Sequence, residues 1–326
     1  MAQNRFLKHA GIELPIIGGP MFPCSNPELV AAVSESGGIG IIQPISLNYV
    51  HGYEFRQGLN KIRQLTTAPV GMNALIEKSS KRHHDQMVRW IDIAIEEGVR
   101  FFITSLGNPS WVVEKVHAVG GAVYHDVTEE KWAIKGLEAG VDGLIAVNRR
   151  AGGHAGQKTA AQLYEELSQF DCPIVCAGGI ASADEVLEAL SLGYEGVQMG
   201  TRFIATAECN ASESYKKAIV DAKESDIVLT ERITGIPVSV IETLYVKKVG
   251  TKVNIIARWF LKHRKLKYLF RAYMFIRSLW RLKSDNQAAA NRASYWQAGK
   301  SVEHIDSVMT VAEIMEEYRS ALAKKP

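Results

Sequence analysis

Apolar runs rich in isoleucine and valine recur along the chain every 20 to 30 residues or so: Pro15–Gly19, Ile39–Ile42, Val70–Leu75, Phe101–Ser105, Ala122–Val127, Gly143–Val147, Pro173–Ala177 and Gly196–Met199. They lack the strict alternation of a half-exposed strand, so each predicts a short strand buried on both faces. Between them apolar residues return at helical spacing over Pro27–Ser36, His84–Glu97, Trp111–Val119, Glu129–Ala139, Thr159–Gln169 and Ser182–Leu192. Ser182-Ala183-Asp184-Glu185 is a capping-box pattern at one helix start. Gly98, Gly120, Gly140 and Gly193 stand where helices end, in positions suited to the left-handed conformation.

Strands that alternate with helices imply a parallel sheet covered on both faces. Eight such units within about 190 residues match a (β/α)8 barrel, an α/β fold of the TIM-barrel type; a doubly wound open sheet is the alternative. In such barrels ligands sit at the carboxyl ends of the strands, and phosphates dock in the loops after strands seven and eight. After Gly235-Ile236-Pro237 the alternation stops. Apolar residues from Ile256 to Trp280 are spaced for one or two amphipathic helices within Val253–Trp280, with bases between them, and Met309–Tyr318 predicts a last helix. The expected organisation is a barrel over 1–240, a basic helical insertion over 241–290 and a C-terminal segment over 291–326 that returns to the barrel.

The 326 residues are 47% hydrophobic, enough for a large core. The net charge of +3 hides an asymmetry: Thr243–Ser284 holds twelve Lys or Arg and no Asp or Glu, leaving the remainder at −9. Eight of the 27 aromatic residues are interleaved with those bases. The segment therefore reads as a face packed on the barrel or on a second subunit of a homodimer, as a weak contact for a membrane surface or an acyl carrier, or as a lid. No recognised nucleic-acid motif accompanies it, so no nucleic acid is expected. Residues 1–12 lack a secretory apolar stretch, and a cytoplasmic location is expected. Cys24, Cys172, Cys176 and Cys209 have neither disulfide-framework nor zinc spacing and read as core fillers, with no metal expected.

Candidate chemistry gathers at the strand ends. Ala151-Gly152-Gly153-His154-Ala155-Gly156 sets a histidine between glycines, which would let a planar ligand approach the backbone. Ala177-Gly178-Gly179-Ile180 and Met199-Gly200-Thr201 follow the seventh and eighth strands, where amide groups at helix starts and a hydroxyl form an anion site suited to a phosphate-bearing cofactor. Gly18-Gly19-Pro20-Met21 and Asn73 would meet the edge of a heteroaromatic ring. No GxGxxG or Walker pattern is present.

Taken in order, Gly19-Pro20-Met21, Gly37-Gly38-Ile39-Gly40, Asn73, Ala151–His154, Ala177–Ile180, Met199–Phe203 and Trp296-Gln297-Ala298-Gly299 resemble the nitronate monooxygenases, formerly called 2-nitropropane dioxygenases, over residues 10 to 240 and again from 295. The resemblance implies an enzyme, a flavoprotein that binds FMN non-covalently and oxidises alkyl nitronates or nitroalkanes with O2. It implies FMN phosphate on Gly178, Gly179, Gly200 and Thr201, the ring near Gly19, Pro20, Met21 and Asn73, and His154 as catalytic acid/base. NAD(P)H-dependent quinone reductases and enoyl-acyl-carrier-protein reductases look similar and form the alternative. A reading of another class makes the chain a membrane-surface or carrier-docking flavin module. One departure is Asn148-Arg149-Arg150 ahead of the histidine motif, where relatives with nitronate activity often carry an acid. Two arginines there would favour an anionic ligand or stand as solvated charges.

Overall fold

The computed structural model describes residues 4–76, 81–233, 235–253, 260, 263, 273, 274, 277 and 295–324. Eight short strands close into one barrel: β1 (Ile16–Gly18), β2 (Ile39–Ile42), β3 (Val70–Ile76), β4 (Phe101–Leu106), β5 (Ala122–Val127), β6 (Gly143–Val147), β7 (Ile174–Ala177) and β8 (Gly196–Met199). Every pair of neighbours is parallel, and β8 returns to β1 with Ile16 opposite Val197 and Gly18 opposite Met199. All eight lie within one residue of the bounds read from the apolar runs, which settles the barrel over the open sheet.

Helices fill the connections: α1 (Arg5–Ala10), α2 (Pro27–Glu35), α3 (Phe55–Leu65), α4 (Lys81–Glu96), α5 (Ser110–His117), α6 (Glu130–Glu138), α7 (Ala160–Leu167), α8 (Ala183–Ser191), α9 (Thr201–Ile204), α10 (Glu213–Asp221), α11 (Leu244–Val249) and α12 (Val311–Ala323). The capping box at Ser182 and Glu185 is formed, with matching boxes at Thr159 and Thr310. Gly98, Gly120, Gly140 and Gly193 all take positive φ at helix ends.

Inward side chains along the strands, among them Ile17, Ile41, Ile103, Tyr124, Ile145 and Val175, fill the barrel as a solid core. Its amino-terminal end is plugged by α1. Phe6 packs edge-on against Phe101 and Tyr124 with centroids 5.9 and 5.7 Å away, and the Glu195 carboxylate accepts from the Arg5 and Phe6 amides. A plugged floor leaves the carboxyl end as the side open to a ligand.

Beyond the barrel, β9 (Ile227–Thr230) and β10 (Val238–Ile241) form an antiparallel hairpin. Residues 295–300 run beside it, joined by a bridge between Val240 and Gln297, and α12 buries Val311, Ile314, Met315 and Tyr318 against the barrel's outer helices. The amphipathic helices expected within Val253–Trp280 fall mostly outside the described residues. No helix among the described residues is long and apolar enough to cross a membrane.

Candidate active site at the barrel mouth

The loops after β6, β7, β8 and β1 form one continuous rim. The Gly19 amide donates to Met199 O at 2.9 Å, and a Cβ on Gly200 would lie 3.5 Å from Met21 Sδ, so Gly19–Met21 and Gly200–Thr201 are brought together. Gly178 and Gly179 take φ of +111° and +77°, and a Cβ on either would strike Ala151 or Arg150, which sets the seventh-strand turn against the histidine loop. Asn148, buried, ties these two loops: its Nδ2 donates to Gly178 O and its Oδ1 accepts from the Arg150 amide, both at 2.8 Å. Asn73 stands on β3 at the mouth and is buried.

The histidine loop folds back on its strand, because the Gly156 amide donates to Asn148 O at 3.2 Å. His154 is thereby held at the rim, exposed. The protein mass around it lowers its imidazole pKa below the usual 6.5. Next to it, Gly153 O accepts from the Ser239 amide of β10 at 2.8 Å, so the hairpin fixes the loop from outside.

Several sequence readings change in detail. The glycines of the histidine motif make room for protein rather than for a planar ligand. A Cβ on Gly152 would fall 2.9 Å from the Gly299 nitrogen, and one on Gly156 would fall 2.3 Å from Val147 O. The amides at the start of α8 are already taken, since Glu185 Oε2 accepts from Ala181 and Ser182. The amides of Gly178, Gly179 and Gly200, by contrast, donate to no described residue. Thr201 Oγ1 accepts from the Gly299 amide at 2.9 Å and keeps its own hydroxyl proton to donate. Arg150 is not an open cation: it pairs with Glu224 at 2.8 Å and Glu185 at 3.6 Å, while Arg149 is exposed.

Among the described residues, three buried side-chain oxygens at this end of the barrel have no hydrogen-bond partner: Asn73 Oδ1 on β3, Asp126 Oδ1 on β5 and Gln198 Oε1 on β8. All three share the inward parity of their strands. Gly71 faces Ile41 and Phe101, Tyr124 belongs to the interior core, and a Cβ on Gly196 would strike Phe6. Orphaned buried acceptors are costly and mark a place where a ligand supplies the missing partners. Together with the undonated amides they fit a ligand with a polar ring edge and a phosphate. Asp126 and Gln198 were missed in the sequence. The signal available was a polar residue at an inward position of a strand otherwise apolar. Leu106 was missed too: it ends β4 with φ +68° and is 62% exposed at the rim, a left-handed conformation rare for leucine.

A closed parallel barrel with a polar mouth, rim amides that donate to no described residue and an imidazole beside them can hold a cofactor against a substrate. The family model for nitronate monooxygenase matches residues 3–319. A probable nitronate monooxygenase of Staphylococcus saprophyticus is 31% identical over 281 residues, covering 73% of this chain and 78% of the relative. The solved structure of FabK from Thermotoga maritima is similar with a TM-score of 0.78 and 29% identity over 99% of this chain and 98% of that one. A nitroalkane oxidase from Streptomyces ansochromogenes shares the fold with a TM-score of 0.78 at 21% identity, over 98% of each chain. The chain belongs to the nitronate monooxygenase family, and it is an oxidoreductase of this flavin-using scaffold.

Proposed function

We propose that the protein is an FMN-dependent monooxygenase that oxidises alkyl nitronates with O2 in the cytoplasm. The observation that carries this reading is the set of undonated amides and orphaned acceptors around one barrel mouth, beside His154, in a chain of this family. In this reading the amides of Gly178, Gly179 and Gly200 and the hydroxyl of Thr201 hold the phosphate. The Gly19–Met21 backbone would meet the ring edge with carbonyls, since the Gly19 and Met21 amides already donate to Met199 O and Ser25 Oγ, and Asn73 would meet it from β3. FMN held there would supply an acceptor for an electron pair that O2 could reoxidise. His154, kept neutral by its surroundings, takes the proton from the carbon next to a nitro group or donates a hydrogen bond to the nitronate. Leu106 offers apolar surface at the rim for an alkyl substituent.

A second reading, an NAD(P)H-driven reductase of quinones or enoyl thioesters, uses the same site. Its support is the likeness to FabK, 29% identical over 99% of this chain.

The test is an absorption spectrum of the purified protein followed by anaerobic mixing with NADH and aerobic assay of propionate 3-nitronate. Oxidised-flavin absorption, nitronate-dependent O2 uptake and a flavin slow to bleach with NADH are expected. Rapid bleaching by NADH without nitronate turnover would overturn the monooxygenase reading in favour of the reductase. For His154→Ala, kcat/KM should drop about a hundredfold or more. In the unmodified enzyme the acid limb of kcat/KM should fall below pH 6.5, since the neutral base is lost only as pH drops through a lowered pKa. That limb should vanish in the variant.

A further inference from the structure

Asp126 is the one acidic residue in the eight barrel strands, and it points into the mouth. It lies two residues beyond Tyr124 on β5 and opposite Ile145 of β6, and both of those side chains belong to the interior core. His125, between them, faces the other way onto Thr104 and Gly136. The Asp126 Oδ1 atom is sealed from solvent and makes no hydrogen bond to a described residue.

Among the described residues, the barrel strands around it bring no cation. Nearest it, the inward residues of β6 are Ile145 and Val147 and those of β4 are Ile103 and Ser105, with Phe101 and Gly143 lower in the barrel. Asn73 and Gln198 are neutral polar groups of the mouth. On its own strand, Tyr124 sends its hydroxyl to His9 at the plugged end. On the rim above stand His154, the exposed Arg149, Arg150 committed to Glu224 and Glu185, and Lys158 paired with Glu166. Burial pushes the Asp126 carboxyl up to about 7.

We propose that Asp126, in its protonated form, donates a hydrogen bond to the ring of the bound flavin, so that the barrel mouth takes up a proton as it takes up the cofactor. The inference rests on the FMN reading of the site. The chemistry is one of matching. The polar edge of an isoalloxazine offers more acceptors, carbonyl oxygens and ring nitrogens, than donors. Asn73 and Gln198 already present acceptor oxygens into the cavity. A neutral carboxyl adds a donor, whereas an ionised one would be a buried charge without a counter-ion, pressed against acceptors of its own polarity. A ligand that prefers the acid form raises its pKa, and by linkage binding then draws in a proton. Affinity is therefore full below the free pKa, about 7, and weakens as pH rises above it.

The full chain, stripped of flavin by dialysis, is titrated with riboflavin and with FMN while quenching of flavin fluorescence is followed. Riboflavin lacks the phosphate and so removes that group's own titration. For the natural chain, Kd should be about tenfold weaker near pH 8.5 than near pH 6 for both ligands, since each unit by which binding raises the pKa is tenfold in affinity. In Asp126→Asn, which keeps the shape and a donor, Kd should stay level within about twofold across that range. Calorimetry of the natural chain near pH 8, in two buffers of different ionisation heat, should register uptake of up to about one proton per riboflavin, a measurement that needs no variant. Tight binding that is level with pH, or no proton uptake, would overturn the role of Asp126 and leave the FMN reading standing. No binding of either flavin at any pH would overturn both.

Discussion

A single buried imidazole away from the mouth makes the stability of this protein depend on acid. His125 lies between β5 and the outer helices, and Thr104 Oγ1, which donates to Tyr124 O, accepts from His125 Nδ1 at 2.8 Å. That bond fixes the neutral tautomer, and burial lowers the pKa from 6.5 to about 4. The unfolded chain binds a proton below pH 6.5 that the native state refuses until about 4, so stability is full above 6.5 and declines as pH falls between the two. At about 1.4 kcal/mol per pH unit the loss reaches about 3 kcal/mol, and urea unfolding at a series of pH values should register it. His125→Gln should flatten that part of the curve. Residues of this kind were hidden in the sequence, where His125-Asp126 is only a polar pair in an apolar strand. Knowing which of the two faces the cavity requires the register of β5 on its neighbours, and that comes from the closed barrel.

Among the elements, strands were the most legible because a parallel strand buried on both faces has almost no choice of composition. The helices that cover them announced themselves by apolar spacing and capping. The pieces left unread are marginal by the same standards. The first helix, α1, has six residues, and its worth lies in Phe6 and Ala10, which enter the barrel floor. In α3, Phe55, Leu59 and Ile62 do lie on one face, but Gly58 and many polar residues dilute the pattern. The β9–β10 hairpin was unread because its four-residue strands follow a region of changed pattern and gain their place through Gly153 and Gln297, which are distant in sequence. Truncating Phe6 to Ala empties a space ringed by Phe101 and Tyr124 and should cost about 3–5 kcal/mol in denaturant unfolding. Because the plug is at the closed end, KM for a nitronate should stay unchanged.

For the molecule as a whole, the site is assembled from both the barrel and the chain that follows it. The candidate residues were legible one loop at a time, as glycine turns and a histidine at strand ends. Their dependence on residues 295–300 was not, because Gly152 and Gly299 touch backbone to backbone and leave no side-chain signature. Gly299 is also the donor to Thr201 Oγ1, and the Lys300 amide donates to Arg150 O at 2.9 Å. A Cβ on Gly299 would come 2.6 Å from the Gly152 nitrogen and 2.7 Å from Arg150 O. Gly299→Ala should therefore push the two segments apart, lowering stability by about 1–3 kcal/mol in a thermal melt. Fluorescence titration should find FMN bound about tenfold or more weakly, since each 1.4 kcal/mol lost at the rim is tenfold in Kd.

This late strap has a consequence for how the protein matures. All eight staves of the barrel have been synthesised once residue 199 emerges, yet the backbone that buttresses the histidine loop arrives about a hundred residues later. A nascent chain can thus close its cylinder while its rim is still unbraced, and colour from a captured coenzyme would report completion of synthesis rather than completion of the cylinder.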